Sequence, residues 1–125
     1  MPGAPKQILV VDDDKTILSI LKMVLEKAGF RVILAQDAMQ GMMMAKQFKP
    51  DLIILDIMMP AGGGFHVFEK LQVMADFLDK PFIIYSAANK EEILAKIPES
   101  QFVKHFSKSA TPESILQAVR EMTGA

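Results

Sequence analysis

Five short apolar runs, each too brief to be a helix, alternate with stretches whose apolar residues recur at helical spacing. This alternation limits the fold more than any other feature of the chain. The runs fall at residues 8–11, 32–34, 52–55, 82–85 and 102–106, the last interrupted by Lys104 and His105. Their β-branched content marks them as strands buried in a sheet. Between the first two, Ile17, Ile20, Leu21, Val24 and Ala28 mark one side of a helix that stops at Gly29. Residues 38–48 read as a second helix, ended before Pro50, and Phe65, Phe68, Leu71 and Ala75 give a third. A short fourth covers 90–96 and is closed off by Pro98. The last helix has the clearest start, with Thr111 as N-cap, Pro112 in the first helical position and Glu113 in the first turn; its stripe is Ile115, Val119 and Met122. Such alternation predicts an α/β domain with a mostly parallel sheet and helices on both faces. Sites in such sheets lie outside the carboxyl ends of the strands, near the switch in strand order.

The remaining features narrow the class. The chain of 125 residues fits a single domain spanning 1–125, with 1–6 a loose N-terminal segment, and shows no repeat or low-complexity stretch. Cysteine is absent, which excludes disulfides, thiolate metal sites and a cysteine nucleophile. Fourteen basic residues stand against 15 acidic ones, for a net charge of −1, so no basic face points to direct nucleic-acid binding. No apolar run approaches the roughly 18 residues of a membrane span, and no secretory signal opens the chain, so a cytoplasmic location without membrane contact is expected. The ten methionines, including 42–44, read as core filling.

The strand ends are where the chemistry collects. The first strand runs straight into Asp12, Asp13 and Asp14; the third ends at Asp56, the fourth at Ser86 and the fifth at Lys108. Taken singly, each has an ordinary explanation. Asp14 reads as the N-cap of the first helix, Asp12 or Asp13 as a loop acid, Asp56 as a cap on the following turn, Ser86 as a partner for loop backbone and Lys108 as a solvated charge. Four polar strand ends at once, in an otherwise apolar sheet, form a stronger pattern. Adjacent carboxylates at a dry strand end repel one another and call for a cation. Two or three carboxylates suit Mg²⁺, which keeps several waters and bridges to phosphate oxygens. A carboxylate can attack phosphorus to form an acyl phosphate while a metal, an ammonium and a hydroxyl take the equatorial oxygens. The set therefore predicts phosphoryl transfer to a carboxylate.

These residues carry a resemblance. "ILVVDDD" is similar to the acidic-pair strand of response-regulator receiver domains of two-component signalling, "LDIMMP" to their phosphoacceptor strand, "IIYSA" to their hydroxyl strand, and Lys108 to their lysine. Order and spacing match over nearly the whole chain, in the manner of a chemotaxis regulator. The resemblance implies a flavodoxin-like, doubly wound sheet of five parallel strands in the order 2-1-3-4-5, with five helices. It implies Asp56 as the phosphorylated residue, aided by Lys108 and Ser86. Mg²⁺ would be held by Asp13, Asp56 and the Met58 backbone carbonyl, with Asp12 acting through water. It also implies a histidine kinase or histidine phosphotransfer protein as phosphoryl donor, a receiver homodimer, switching through Ser86 and His105, and catalysis limited to the domain's own phosphorylation and dephosphorylation.

Several positions depart from the family's pattern. "PAGGGF" puts Gly62, Gly63 and Gly64 where receivers often have Met-Asp-Gly, which predicts a freer loop at the mouth of the site. Ser109 follows Lys108 where many receivers have proline behind a cis peptide; a cis bond before serine would cost about 2.5–4 kcal/mol, so either the bond is trans or the site holds strain. His105 occupies the aromatic switch position and is expected to be a partly exposed surface histidine, with a titrating switch as the alternative. The fourth helix is short and no glycine precedes the fifth strand. Met58 and Ala88, two residues beyond Asp56 and Ser86, cannot orient a hydrolytic water, which predicts slow to moderate autodephosphorylation.

Two other functions compete. "DDDKT" also satisfies the Asp-x-Asp-x-Thr motif of haloacid-dehalogenase-like phosphatases through Asp12, Asp14 and Thr16, although no aspartate follows Lys108 to complete that site. A degenerate receiver acting as a phosphorylation-independent adaptor would keep the fold without the chemistry.

Overall fold

The structure is a computed structural model, and it describes residues 4–60, 63–87 and 89–125. Strand β1 (Gln7–Val11) leads into α1 (Lys15–Lys27), β2 (Arg31–Ala35), α2 (Ala38–Phe48), β3 (Leu52–Leu55) and α3 (Gly63–Gln72). A 3₁₀ turn, Ala75–Phe77, precedes β4 (Phe82–Ser86), α4 (Lys90–Lys96), β5 (Val103–Ser107) and α5 (Pro112–Thr123). The strands pair in parallel in the order β2-β1-β3-β4-β5, the doubly wound flavodoxin-like sheet expected. Order switches between β1 and β3, so the carboxyl rim at those two strands is where a site is expected.

Alternation along each strand divides the core in two. Leu9, Val11, Ile53, Leu55, Phe82 and Ile84 face one side, where Ala45 of α2, Val67, Phe68 and Leu71 of α3 and Ile93 of α4 cover them. Ile8, Val10, Leu52, Ile54 and Ile83 face the other, under Leu18, Leu21 and Leu25 of α1 and Ile115, Ala118 and Val119 of α5. The central strands are buried on both faces because helices cover both.

Side-chain caps fix where helices begin. Asp14 Oδ1 accepts the N–H groups of Thr16 and Ile17, Asp37 Oδ1 that of Gln40, and Thr111 Oγ1 that of Ser114. Asp14 is therefore the expected N-cap.

The helix faces differ in detail from the sequence reading. In α1 the residues turned fully to the sheet are Leu18, Leu21 and Leu25, whereas Val24 and Ala28 are half-buried beside Leu116 of α5. The apolar stripe is wide enough to serve both neighbours. The third helix ends at Gln72, so Ala75 is exposed in the 3₁₀ turn, and Phe77 is buried in its stead. Among the described residues no helix is long and apolar enough to cross a membrane.

Candidate phosphoryl-transfer site

The sheet pairing continues one residue beyond β1 and β3, which carries both buried aspartates onto the rim. The Asp12 N–H donates to the Ala35 carbonyl at 3.1 Å, and the Asp56 N–H to the Val11 carbonyl at 2.9 Å. Asp12 is 2 % exposed and Asp56 5 %, while Asp13 points to solvent. One oxygen from each of the three lies within 4.8 Å of the others. Buried carboxylates so close need compensation.

Compensation comes from backbone and from Lys108. Asp12 Oδ1 accepts the Asp14 N–H and Asp56 Oδ1 the Met58 N–H, both at 2.9 Å. The second oxygens are turned to one ammonium: Lys108 Nζ lies 2.6 Å from Asp12 Oδ2 and 3.7 Å from Asp56 Oδ2. The cation demanded by the aspartate run is thus partly the chain's own lysine. Lys108 begins the loop after β5, where its N–H donates to the Ser86 carbonyl at 3.1 Å, so the ends of β4 and β5 are tied together. Ser86 itself is buried.

These surroundings set the charge states. Burial pushes the Asp56 carboxyl above the usual carboxylate range; the Met58 N–H opposes the rise, Asp12 adds to it, Lys108 opposes it and Asp13 adds a little. Burial also pulls on Lys108, downward, but its hydrogen bond to Asp12 and the charge of Asp56 outweigh that and raise it. Lys108 therefore stays an ammonium at neutral pH. Three clustered carboxylate oxygens form a hard, all-oxygen donor set of the kind Mg²⁺ takes.

The structure brings Asp12, Asp13, Asp56 and Lys108 together, with Ser86 on the same rim; it decides between readings the sequence left open and corrects others. Lys108 is not a solvated charge. The Lys108–Ser109 peptide is trans, since no cis bond occurs among the described residues. Gly63 and Gly64 do not loosen a loop: they open α3, both buried, and a Cβ on Gly64 would collide with the Asp56 carbonyl oxygen. Glycine is needed there for close backbone approach. Asp14 gives Oδ1 to the helix cap, is exposed and stands apart from the Asp12, Asp13 and Asp56 cluster, which speaks against the Asp-x-Asp phosphatase reading. Gly62 and Ala88 lie outside the described residues.

His105 is the largest departure. Rather than a surface histidine it is only 8 % exposed, because it shares the inward face of β5 with Val103. Neither ring nitrogen has a hydrogen-bond partner among the described residues, and the ring borders a cavity of about 40 Å³ that Ile84, Ser86 and Ile93 also line. Burial holds its pKa below the ordinary value, against the opposing pull of the Ile97 backbone and Glu99, with Lys90 adding to the drop.

Two residues at the site escaped the sequence reading, Gly64 and Tyr85. Tyr85 is buried one residue before Ser86, with its ring centroid 5.2 Å from Lys108 Nζ. Its hydroxyl donates to the carbonyls of Lys108 and Ala110, at 3.4 Å each. It is the chain's single tyrosine, and a polar-tipped ring directly before Ser86 in an apolar strand was the available signal.

Comparison with known proteins agrees with this geometry. The family model for the response regulator receiver domain matches residues 8–120. The alkaline phosphatase synthesis transcriptional regulatory protein PhoP of Bacillus subtilis is 38 % identical over 86 residues, which cover 69 % of this chain and 35 % of that protein. Protein PilH of Pseudomonas aeruginosa is 36 % identical over 85 residues, covering 68 % of this chain and 70 % of PilH. The structure of Vibrio cholerae chemotaxis protein CheY4 superposes with a TM-score of 0.86 at 23 % identity, over 95 % of this chain and 99 % of that one, a likeness of fold. The matches span 35, 48 and 34 % of the length of the first three curated relatives.

Proposed function

The chain belongs to the response regulator receiver domain family of two-component systems, and from that premise we propose that Asp56 is its phosphoacceptor. The observation that carries this reading is the meeting of Asp12, Asp13 and Asp56 with Lys108 at one rim. In the transfer step a carboxylate oxygen of Asp56 attacks phosphorus. The P–N bond to a donor phosphohistidine breaks, and its electron pair returns to the donor's imidazole. Lys108 leaves part of its contact with Asp12 to meet the incoming phosphoryl oxygens, and the Ser86 hydroxyl takes another. The Met58 N–H holds Asp56 Oδ1, which orients the carboxylate for attack.

Asp13, Asp56 and the Met58 backbone carbonyl would hold Mg²⁺, with Asp12 reaching it through water. When bound, the ion neutralises charge on the phosphoryl oxygens. The donor is a histidine kinase or histidine phosphotransfer protein, and the stored acyl phosphate shifts a two-state equilibrium through Ser86 and His105 toward a changed partner surface, including a receiver homodimer. The domain works in the cytoplasm and catalyses only its own phosphorylation and dephosphorylation, the latter at a slow to moderate rate. Transcriptional output, named for PhoP of B. subtilis, belongs to whatever this domain regulates rather than to its own surface.

Intact mass after incubation with Mg²⁺ and acetyl phosphate tests the reading. One added phosphoryl group is expected, absent in Asp56→Asn and in EDTA. No adduct and no released phosphate in the wild type would instead make this an adaptor with a silent site.

A further inference from the structure

The loop that carries Lys108 is fastened in an unusual way. Ser107 Oγ and Ser109 Oγ lie 2.9 Å apart, and the Ser109 N–H donates to Ser107 Oγ at 3.2 Å, so the loop is cross-tied on its exposed side. From the sheet side the Ser86 carbonyl accepts the Lys108 N–H, and the Tyr85 side chain also reaches the loop. Tyr85 is 4 % exposed, and its hydroxyl meets the Lys108 and Ala110 carbonyls. Its ring stands 5.2 Å from the Lys108 ammonium, within the range at which a ring face attracts a cation. Tyr85 therefore touches both ends of the same lysine: its backbone through the hydroxyl and its charge through the ring.

We infer that Tyr85 is a positioning residue that holds the Lys108 ammonium over the Asp12–Asp56 crevice. The inference rests on the phosphoacceptor reading of Asp56. Lys108 has a long, flexible side chain, and a lysine free to swing would spend part of its time in solvent. The ring restricts that swing from below while Asp12 and Asp56 attract the ammonium from across the crevice. At 3.4 Å the hydroxyl bonds are long, so the ring is the larger contribution.

A double-mutant cycle on the rate of Asp56 phosphorylation by acetyl phosphate with Mg²⁺, read by intact mass, tests this. Tyr85→Leu should slow uptake about five- to tenfold, and Tyr85→Phe, which keeps the ring, should stay within about threefold of wild type. In a Lys108→Ala background, followed over hours, Tyr85→Leu should have almost no further effect, because the group it positions is gone. An equal slowing in both backgrounds would reduce Tyr85 to a core residue, and an unchanged rate for Tyr85→Leu would dismiss the inference outright. Ile83→Ala, a buried truncation two residues earlier on the same strand, serves as the stability control. If it slows uptake as much as Tyr85→Leu, positioning is overturned even where Lys108→Ala takes up no label. Should Tyr85→Leu fail to fold, a tenfold loss in Tyr85→Phe would overturn the role given to the ring. Absence of any adduct in the wild type would refute the phosphoacceptor reading itself, whereas a labelled wild type with an equally fast Tyr85→Leu would refute only the role of Tyr85.

Discussion

Lys108 stands closer to Asp12 than to Asp56, with Nζ at 2.6 Å from the one carboxylate and 3.7 Å from the other. The tighter contact satisfies the more buried acid and leaves Asp56 with the weaker share of one ammonium. Asp56 Oδ2 is thereby the less engaged of the two carboxylate oxygens that face Lys108.

Removing the ammonium should leave two buried carboxylates facing each other. Lys108→Ala is expected to destabilise the fold by about 1–3 kcal/mol and to slow phosphoryl uptake about a hundredfold. Asp12→Asn in the same chain should restore part of the stability and none of the rate. Urea unfolding of the single and double variants checks this; additive losses would show that the two side chains are not coupled.

Asp56→Asn should stabilise the protein at neutral pH. A carboxyl raised in the folded state contributes stability that is full below its unfolded value of 3.8 and is lost as pH rises through the folded value. The amide carries no such loss. At pH 7, in EDTA, the variant is expected to melt a few degrees higher, about 1 kcal/mol, with the gap closing as pH approaches 4. A gap that does not change with pH would contradict the assignment of a raised pKa.

Gly64→Ala should damage both stability and activity. Its Cβ would enter the Asp56 carbonyl oxygen and the Ile57 Cα, backbone atoms that cannot rotate away. A loss of about 1–3 kcal/mol is expected, together with slower phosphorylation because the strand end carrying Asp56 must shift. Wild-type stability in calorimetry would mean that α3 can slide from its observed position.

The buried histidine gives a pH effect of opposite sign. A base whose folded pKa is lowered contributes stability that is full above its unfolded value of 6.5 and is lost as pH falls toward the folded value. Wild type should lose stability over that window, while His105→Phe, which leaves no ring nitrogen to protonate, should not. Parallel melting curves for the two proteins between pH 7.5 and 5 would refute it.

Much of this was legible in the chain. The strand and helix order was readable because short apolar runs alternate with stretches of period 3.6, and residues 38–48 and 90–96 became helices with the expected bounds. The acids, the hydroxyl and the lysine were readable because they end strands. What stayed hidden depends on through-space approach. Gly64 looked like loop freedom because nothing in "GGG" records that the Asp56 backbone lies against it. His105 looked exposed because its polar type outweighed the strand register that puts it beside Val103 on the inward face. Tyr85 passed as one more apolar residue of β4, since the lysine beneath which its ring lies is contributed by another strand end.

The parallel arrangement of the sheet also bears on how the protein comes into being. Every strand must be followed by a return crossing before the next can pair, so Asp12 and Lys108 meet only after the chain between them has been threaded into order. Loop closure over such separations is slow compared with local helix formation. A nascent chain not yet extended through β5 lacks Lys108, the ammonium that meets Asp12 and Asp56 in the finished fold. On the reading of Asp56 as phosphoacceptor, competence to take up a phosphoryl group would be complete only once β5 has docked and Lys108 stands beside Asp12, and uptake would then report completed folding.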